Sequence, residues 1–440
     1  MNVSEFLKNE KKVLFFIVLT AIGIRLFFMF WLTSYRIDSH WDWDFAYEMG
    51  SIAKSLAMGE GFASPFGHPG GPTAIVPPLY PYFLAMIFKI FGVCSTESAI
   101  VILSIHCLVS AFTCIPLYYV AKTLFGRYTG YLAATGLAFH PTSVWYAVNT
   151  IWDTTFFTFL GILLMSLAFL LPQKFTYKTS AAFGAFVGFI ALLKSVVLAF
   201  YPFLLLFFFL QSPLPRKRTI SRILVICSLT GVVLMPWILR NYLVFGRVML
   251  RSNFGLELKL ENCSETWTAL EKTGDSNVFS LQHPTINSDE LLLYQQVGEL
   301  KYMDICLEKA KTFIRKHPEK YMILTLKRIS YLWIGDFDRK NNWMANLDAP
   351  FSISGLKKLF LLLPLPFAFI GILLAIQRHI PHICLTLMYI LVLPGVYYIT
   401  HVCSRFRYPV EPLILMFAVY GLSALIPQNR MSQIGLSDQC

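Results

Sequence analysis

Long apolar runs alternate with short polar tracts along most of the chain, and the length of each run limits what it can be. A helix of roughly twenty apolar residues is long enough to cross the hydrocarbon layer of a bilayer, about 30 Å. Runs of this kind fall at 13–34, 98–120, 129–147, 153–171, 180–194, 196–211, 219–239, 355–377, 382–400 and 409–427. Stretch 77–92, from Pro77-Pro78-Leu79-Tyr80-Pro81 to Phe91-Gly92, is apolar but only about sixteen residues long and opens on prolines, so it reads as a juxtamembrane helix. Region 240–354 is different: charged residues and Asn are dense, and periodic apolar positions over 291–335 predict helices. Asp275, Ser276, Asn277, Pro284 and Asn287 mark a loop near its middle. The expected fold is an all-α polytopic membrane protein of about ten transmembrane helices, with a juxtamembrane helical first outer loop and a small, mainly helical extramembrane domain. The expected organisation is a transmembrane catalytic module at 1–239 including the first outer loop 35–97, an extramembrane domain at 240–354, and C-terminal transmembrane helices at 355–440.

Flanking charge orients the runs. Lys8, Lys11 and Lys12 precede the first run, and no small-residue cleavage site follows it, so it reads as a retained helix with a cytoplasmic N-terminus. If 77–92 lies along the surface, then Lys122/Arg127, Lys174/Lys178, Arg216/Lys217/Arg218, Arg378 and Arg430 share the side of those lysines, as the positive-inside rule requires. If it crosses, most of them flip outward. The outer segments are then 35–97, 148–152, the turn at Lys194–Ser195, 240–354 and 401–408. The expected location is the plasma or inner membrane, with the active site on the external or periplasmic side.

Composition agrees with a bilayer: 56% of the residues are hydrophobic, 16% aromatic and only 14% charged. The net charge of +12 is carried by short tracts between apolar runs, not by faces interleaved with aromatic rings, so no nucleic-acid partner is expected. The nine cysteines form no CxxC pair and fall mostly inside apolar runs, which points to neither a metal nor a disulfide framework. No Gly-rich phosphate loop, HExxH or GxSxG motif occurs, nor the internal repeat of many transporters. The acidic residues could hold a divalent cation through oxygen ligands, but no full ligand set is visible and no cofactor is assigned.

Candidate chemistry sits where polar residues crowd the outer interface. Segment 36–50 packs Asp38, Asp42, Asp44 and Glu48 among Trp41, Trp43 and Tyr47 just beyond the first run. Asp44 and Glu48, four apart, share one face of a helix. A carboxylate at an apolar boundary suits a general base, because desolvation raises its proton affinity; the alternative is that these acids cap and solvate a helix. Asp153 stands alone at the outer start of another run, where a helix cap is the competing reading. Lys194, Arg240, Arg251 and the pair Arg405/Arg407 place positive charge on the side where the topological bias disfavours it. Either they snorkel to lipid headgroups or they meet a phosphate at the membrane surface.

These residues stand in a series of short motifs. They are Glu48-Met-Gly-Ser-Ile-Ala-Lys-Ser-Leu56 with Gly59-Glu-Gly61-Phe62-Ala-Ser-Pro65-Phe66; Gly71-Pro-Thr-Ala74 leading to Pro77-Pro-Leu-Tyr-Pro81; Pro236-Trp237-Ile-Leu-Arg240-Asn241 with Arg251-Ser-Asn253-Phe-Gly255-Leu-Glu257; and Arg405-Phe-Arg407-Tyr408-Pro409. In their order, along nearly the whole chain, they resemble the C-type (GT-C) membrane glycosyltransferases, a family that includes protein O-mannosyltransferases and the aminoarabinose transferases of lipid A. The likeness is greatest to bacterial members of unassigned substrate.

The resemblance implies transfer of a sugar from a polyprenyl-phosphate carrier to an acceptor hydroxyl of a protein, lipid or glycan at the outer membrane face. It implies a first-loop carboxylate as base, at Asp44 or Glu48, and a second-loop acid at Asp153. It implies cations for the carrier phosphate at Arg240 and Arg407, to which burial and side add Lys194. Arg251, Asn253, Glu257 and Tyr408 are expected to touch substrate. A lipid or solute transporter or flippase is the main alternative, but the runs are nearly free of Asp and Glu, whereas a transport path through them needs ionisable groups. A non-catalytic scaffold binding a partner through 240–354 is the third reading. Thiols introduced near positions 60, 275 and 403 are expected to react with an impermeant reagent from outside, and those near 124, 217 and 379 to be protected. A protected 60 with an exposed 217 would invert the orientation.

Overall fold

The computed structural model describes residues 9–37, 45–273, 282–335 and 359–425, and among these the regular structure is helical. The first run forms α1 (Glu10–Trp31), capped at its start by the Asn9 side chain, which accepts from the Lys12 amide. The first outer region gives α2 (Glu48–Met58) and α3 (Leu79–Phe91). The 13 residues of α3 rise about 20 Å, short of the hydrocarbon thickness. One face, with Tyr80, Leu84 and Phe88, is buried against α2 and the next helix, while Tyr82, Met86 and Ile90 on the other are exposed.

The run at 98–120 becomes two helices in line, α4 (Thr96–Phe112) and α5 (Cys114–Phe125). The run at 129–147 is interrupted where Pro141 opens a new helix: α6 (Arg127–Phe139) ends at the extended His140 and α7 (Pro141–Asn149) follows. Proline lacks the amide that would continue the ladder, which accounts for the break. Next come α8 (Thr154–Leu170), α9 (Tyr177–Leu193), α10 (Val197–Gln211) and the 30-residue α11 (Arg216–Phe245), which runs past residue 239 and ends at the left-handed Gly246. The charged region folds into α12 (Phe254–Leu260), α13 (Ser264–Thr273), α14 (Ser288–Val297), α15 (Glu299–Lys316) and α16 (Pro318–Ile334). The chain closes with α17 (Pro364–Gln377), α18 (Ile383–Ile399) and α19 (Glu411–Ala424).

Among the described residues five helical stretches are long and apolar enough to cross a membrane: Glu10–Trp31, Thr96–Phe125, Thr154–Lys174, Arg216–Phe245 and Leu359–Gln377. Shorter apolar helices pack among them, with exposed Phe, Leu and Ile on their outer surfaces. The protein is a polytopic membrane protein. Contacts sort the helix ends into two sets. In one set Lys122 pairs with Glu10 at 2.7 Å, Tyr420 stacks on Phe125 and accepts from Arg378, and His382 stacks on Phe169. In the other, Ser34 meets Asn149, Asp153 meets Lys194, and Arg240 donates to the carbonyls of Phe62 and Thr73.

Close helix approach has a sequence basis. In Gly184-Ala-Phe-Val-Gly188 two small residues share one face of α9. A Cβ at Gly184 would lie 2.4 Å from the Ile226 carbonyl oxygen of α11, and one at Gly188 would lie 2.8 Å from the Val233 side chain. The contact is fastened by Thr230 of α11, whose hydroxyl reaches the Gly184 carbonyl at 2.9 Å. Without a hydrophobic drive between helices in lipid, such packing and hydrogen bonds carry the association. Gly184→Val is therefore expected to destabilise the fold by about 1–3 kcal/mol, read as a lowered unfolding midpoint in detergent. An unchanged midpoint would mean that α9 and α11 separate at little cost.

Candidate functional site

The second set of helix ends surrounds a cavity of ≈ 350 Å³. Its wall combines the start of α2, residues 75–77, Trp152 and Asp153, the turn 194–196, residues 251–257, His283, the end of α18, and Arg405 with Phe406.

Glu48 reaches the cavity by a strained turn. Ala46 and Tyr47 have φ of 72° and 48°, a region non-glycine residues rarely occupy, and Glu48 then begins α2. Gly50 is required here, since a Cβ at that position would lie 1.9 Å from the Phe45 carbonyl oxygen. The Glu48 carboxylate meets His283 Nε2 at 3.1 Å. Burial pushes the Glu48 pKa up, but the hydrogen bond and charge of His283, with smaller help from Glu48's own backbone hydrogen bond and Arg405, bring the net direction below the usual carboxylate value. Desolvation alone suggested a raised proton affinity; the histidine, supplied by a distant segment, reverses it.

Asp153 precedes α8, yet its side chain makes no capping hydrogen bond. Both its oxygens accept from Lys194 Nζ, at 2.8 and 2.9 Å, in a pair that is largely buried. The carboxylate lies at a helix N-terminus and the ammonium at the C-cap of α9, so each macrodipole favours the charge it meets. Burial lowers the Lys194 pKa despite the opposing attraction of Asp153.

Two guanidinium groups in the wall are less committed. Arg405 lies over the Trp152 ring at 3.6 Å, and no hydrogen-bond acceptor engages it among the described residues. Trp152 is backed by Tyr47, and Phe406 stacks on Tyr397 with centroids 3.8 Å apart, so aromatic rings fix the cation's surroundings. Arg251 approaches Glu257 only to 3.8 Å, and its buried Nε has no partner. Asn253 donates to Glu257 Oε1 at 2.8 Å. A clamp sets this wall against the first outer region: buried Glu299 accepts from the Thr73 hydroxyl, the Ala74 amide at 2.8 Å, Ser252 Oγ at 2.7 Å and Tyr294 OH at 3.2 Å.

Glu48, Asp153, Lys194, Arg251, Asn253 and Glu257 come together at one cavity. Asp44 lies outside the described residues. Arg240, Arg407 and Tyr408 are not in the cavity wall. Arg240 is engaged by the Thr73 and Phe62 carbonyls and Asn241. Arg407 is buried and held by both oxygens of Glu411 and by the Trp333 and Leu361 carbonyls. The Tyr408 hydroxyl meets Ser143 at 3.1 Å. For the phosphate contact expected at Arg407, the cavity instead presents Arg405. The turn at Ser404–Phe406 directs the first arginine of Arg405-Phe-Arg407 to the cavity, while the second pairs with the carboxylate four residues on. That i,i+4 spacing is legible in the sequence; His283, in Gln282-His283-Pro284, has no local signal. Among the described residues no three His, Cys, Asp or Glu side chains group to hold a metal ion. Glu48 already faces the His283 imidazole and Asp153 the Lys194 ammonium.

Asp153→Asn leaves the Lys194 ammonium buried without its counter-charge. A loss of about 3–5 kcal/mol in stability is expected, with much of it recovered by the double variant Asp153→Asn/Lys194→Met; equal unfolding midpoints for the wild type and the single variant would show that the pair contributes nothing.

Residues 75–240 match the family described as dolichyl-phosphate-mannose-protein mannosyltransferase. No curated protein matches the sequence significantly. Among solved structures, the Archaeoglobus fulgidus oligosaccharyltransferase tethered to an acceptor peptide is 14% identical, with a TM-score of 0.55 over 99% of this chain and 52% of that one. The same archaeal enzyme, AglB, with an inhibitory peptide and dolichol-phosphate is 15% identical, with a TM-score of 0.55 over 99% and 53%. ArnT from Cupriavidus metallidurans bound to undecaprenyl phosphate is more distant, at 13% identity and a TM-score of 0.38 over 95% of this chain and 79% of that one. The chain spans about half the length of the archaeal structures it matches. Over nearly the whole chain the fold is shared with the archaeal oligosaccharyltransferase, and residues 75–240 carry the sequence pattern of the dolichyl-phosphate-mannose-protein mannosyltransferase family.

Proposed function

We propose that the chain is a glycosyltransferase that takes a sugar from a polyprenyl-phosphate carrier and passes it to an acceptor hydroxyl at the external membrane face. The observation that carries this reading is the pair of weakly engaged guanidinium groups, Arg405 and Arg251, in one cavity with Lys194 and the Glu48 carboxylate. A buried cation needs a counter-charge, and a phosphate ester brings one with oxygens that accept the forked donors of arginine. The membrane setting suits such a donor, because a prenyl chain stays in the bilayer while its phosphate sits at the interface. Archaeal AglB, whose fold this chain shares, has been solved with dolichol-phosphate.

In this reading the acceptor oxygen attacks the anomeric carbon as the bond from that carbon to the phosphate oxygen breaks. The sugar moves to the acceptor, the negative charge stays on the carrier phosphate, and the hydroxyl proton passes to a carboxylate. Arg405, Arg251 and Lys194 stabilise the charge that builds on the leaving oxygen. The base comes from the first outer region, Asp44 or Glu48. Glu48, held ionised at neutral pH by His283, is in the form that accepts a proton. Asp153 fixes Lys194 in the wall. No divalent cation is assigned a step. In this reading all three expected regions supply the site: 1–239 through Glu48, Asp153 and Lys194, 240–354 through residues 251–257 and His283, and 355–440 through Tyr397, Arg405 and Phe406. The lysine- and arginine-bearing ends opposite the cavity, around Lys122, Lys174, Arg216 and Arg378, favour a cytoplasmic N-terminus.

The transporter alternative would use ionisable groups within the spans. The buried Arg25 of α1 is such a group, but its donors are engaged by Ser110, Ser143 and the carbonyls of Ala21, Leu137 and Ala138, which makes it a helix fastener.

Arg405→Ala and Arg251→Ala are each expected to weaken binding of a polyprenyl phosphate by 1.5–3 kcal/mol, about 10- to 150-fold; unchanged affinity in both removes the carrier from this cavity. Of Glu48→Gln and Asp44→Asn, the variant lacking the base should lose roughly 10²–10⁴ in turnover with carrier binding intact, and the other should stay near normal. If both turn over like the wild type, the base lies elsewhere.

A further inference from the structure

Outside the cavity, the densest buried set of charges is centred on Glu261, where α12 ends. Glu261 Oε1 meets His401 Nδ1 at 2.8 Å and accepts from the Val402 amide at 3.4 Å. Its other oxygen is buried with no hydrogen-bond partner and lies 3.9 Å from Arg328 Nη1. Arg328, from α16, donates to the Glu261 carbonyl at 3.1 Å and to the Tyr398 carbonyl at 2.7 Å. The next residue, Asn262, reaches the Ile399 carbonyl at 3.1 Å. Two extramembrane helices are thereby stapled to the end of α18 and to the segment 400–406, which carries Thr400, Arg405 and Phe406 of the cavity wall.

The sequence contains nothing local to suggest this cluster, since its members are separated by 67 and 140 positions. Its chemistry is unlike that of a simple staple. Most of the contacts run to backbone carbonyls and do not titrate. The exception is Glu261 to His401, the one contact that depends on an imidazole and that bonds directly to the 400–406 backbone. We propose that Glu261 and His401 are positioning residues for the phosphate end of the cavity, setting the place of Arg405 through the segment between them, and that they hold it most firmly while the imidazole is protonated and the contact is an ion pair. The proposal rests on the reading of Arg405 as a carrier-phosphate contact.

Among the described residues the charged and titratable groups facing His401 include Glu261, Glu257 and Cys403, with Arg328 beyond Glu261 and the Phe406 ring edge-on at 6.3 Å. Burial disfavours the imidazolium, but the charge and hydrogen bond of Glu261 outweigh it, aided by Glu257 and Cys403, and the net direction is upward. A group whose pKa is raised in the fold holds its stabilising contact in full below the ordinary histidine value and loses it as pH rises through the raised one. Carrier affinity is therefore full below the ordinary histidine value and declines as pH rises through the raised one, the alkaline limb of the profile.

The test measures binding of undecaprenyl phosphate to the full-length protein in detergent as a function of pH, for the wild type, Glu261→Gln and His401→Gln. The expected wild-type affinity falls by about tenfold across the alkaline limb, within the usual range of coupling between two sites. Glu261→Gln should move that limb to lower pH, because burial then acts on the imidazole alone, and His401→Gln should abolish it at a uniformly weaker affinity. A purely structural staple would weaken binding without moving the limb, so coincident midpoints in the wild type and Glu261→Gln overturn the proposal, as does a limb that survives in His401→Gln. Peptide-resolved maleimide labelling of the native Cys403 at a single neutral pH reads the segment without any ligand. Faster labelling in both variants is expected, and unchanged labelling overturns the proposal. If no variant binds the carrier but Cys403 labelling rises, the positioning stands and the proposed donor is wrong.

Discussion

The pair of Asp153 and Lys194 is the interaction on which the site depends. It joins the start of α8 to the end of α9, two helices whose other contacts are apolar packing within the membrane, and it does so at the depth where the cavity begins. Helices in lipid satisfy their backbones internally and leave their ends as the places where polar chemistry can collect. An acid at an N-terminus and a base at a C-terminus use both macrodipoles, which offsets part of the cost of burying the charges. The turn 194–196 that follows Lys194 then sends α10 back along the bundle. Moving either partner would displace one wall of the cavity.

Around that pair the cavity balances acids against bases without neutralising all of them. Asp153 is taken by Lys194, Glu48 by His283, and Glu257 mainly by Asn253. Arg405 and Arg251 remain with aromatic and distant acidic neighbours in place of close acceptors. A half-buried guanidinium in such surroundings is costly. The fold tolerates it because the rings of Trp152 and Phe406 accept the cation face-on, a contact that leaves the planar donor edge available. That combination, charge held by a ring and donors left open, is what gives the cavity its preference for an anion.

Much of the helical fold was legible because lipid imposes a length rule on apolar runs: the runs became helices, five of which, among the described residues, are long enough to span. The break at Pro141 and the extension of α11 to Phe245 were not, since one depends on a single residue within an apolar run and the other on backbone continuing into a polar region. Of the site, what was legible followed from helix ends. Asp153 and Lys194 stand where an apolar run begins or stops, and Glu48 lies in the polar stretch after the first run, so the expected topology put all three at one end of the bundle. His283 and Tyr397 were not singled out, because they reach the cavity only through tertiary packing. The lowered proton affinity of Glu48 could not be read either, for the partner that reverses the effect of burial lies more than two hundred positions away in the chain.

Arginine shows most clearly where sequence reasoning stops. Arg25, Arg240, Arg405 and Arg407 all lie within or beside apolar runs, and by position alone each is an anomaly that invites a functional reading. Donor accounting separates them. Arg25 gives its hydrogen bonds to two serines and two carbonyls on neighbouring helices and to the Ala21 carbonyl of its own, and Arg407 to Glu411 and two carbonyls, so neither has capacity left for a ligand. Arg240 gives its own to the first outer region and to Asn241. These three fasten helices and loops in a medium that offers no water to do so. Arg405 differs only by a turn of 3-10 helix, yet that turn decides whether its fork meets a carbonyl or the cavity. A buried cation in a membrane protein is therefore marked as functional less by its charge than by the donors that its own fold leaves unanswered.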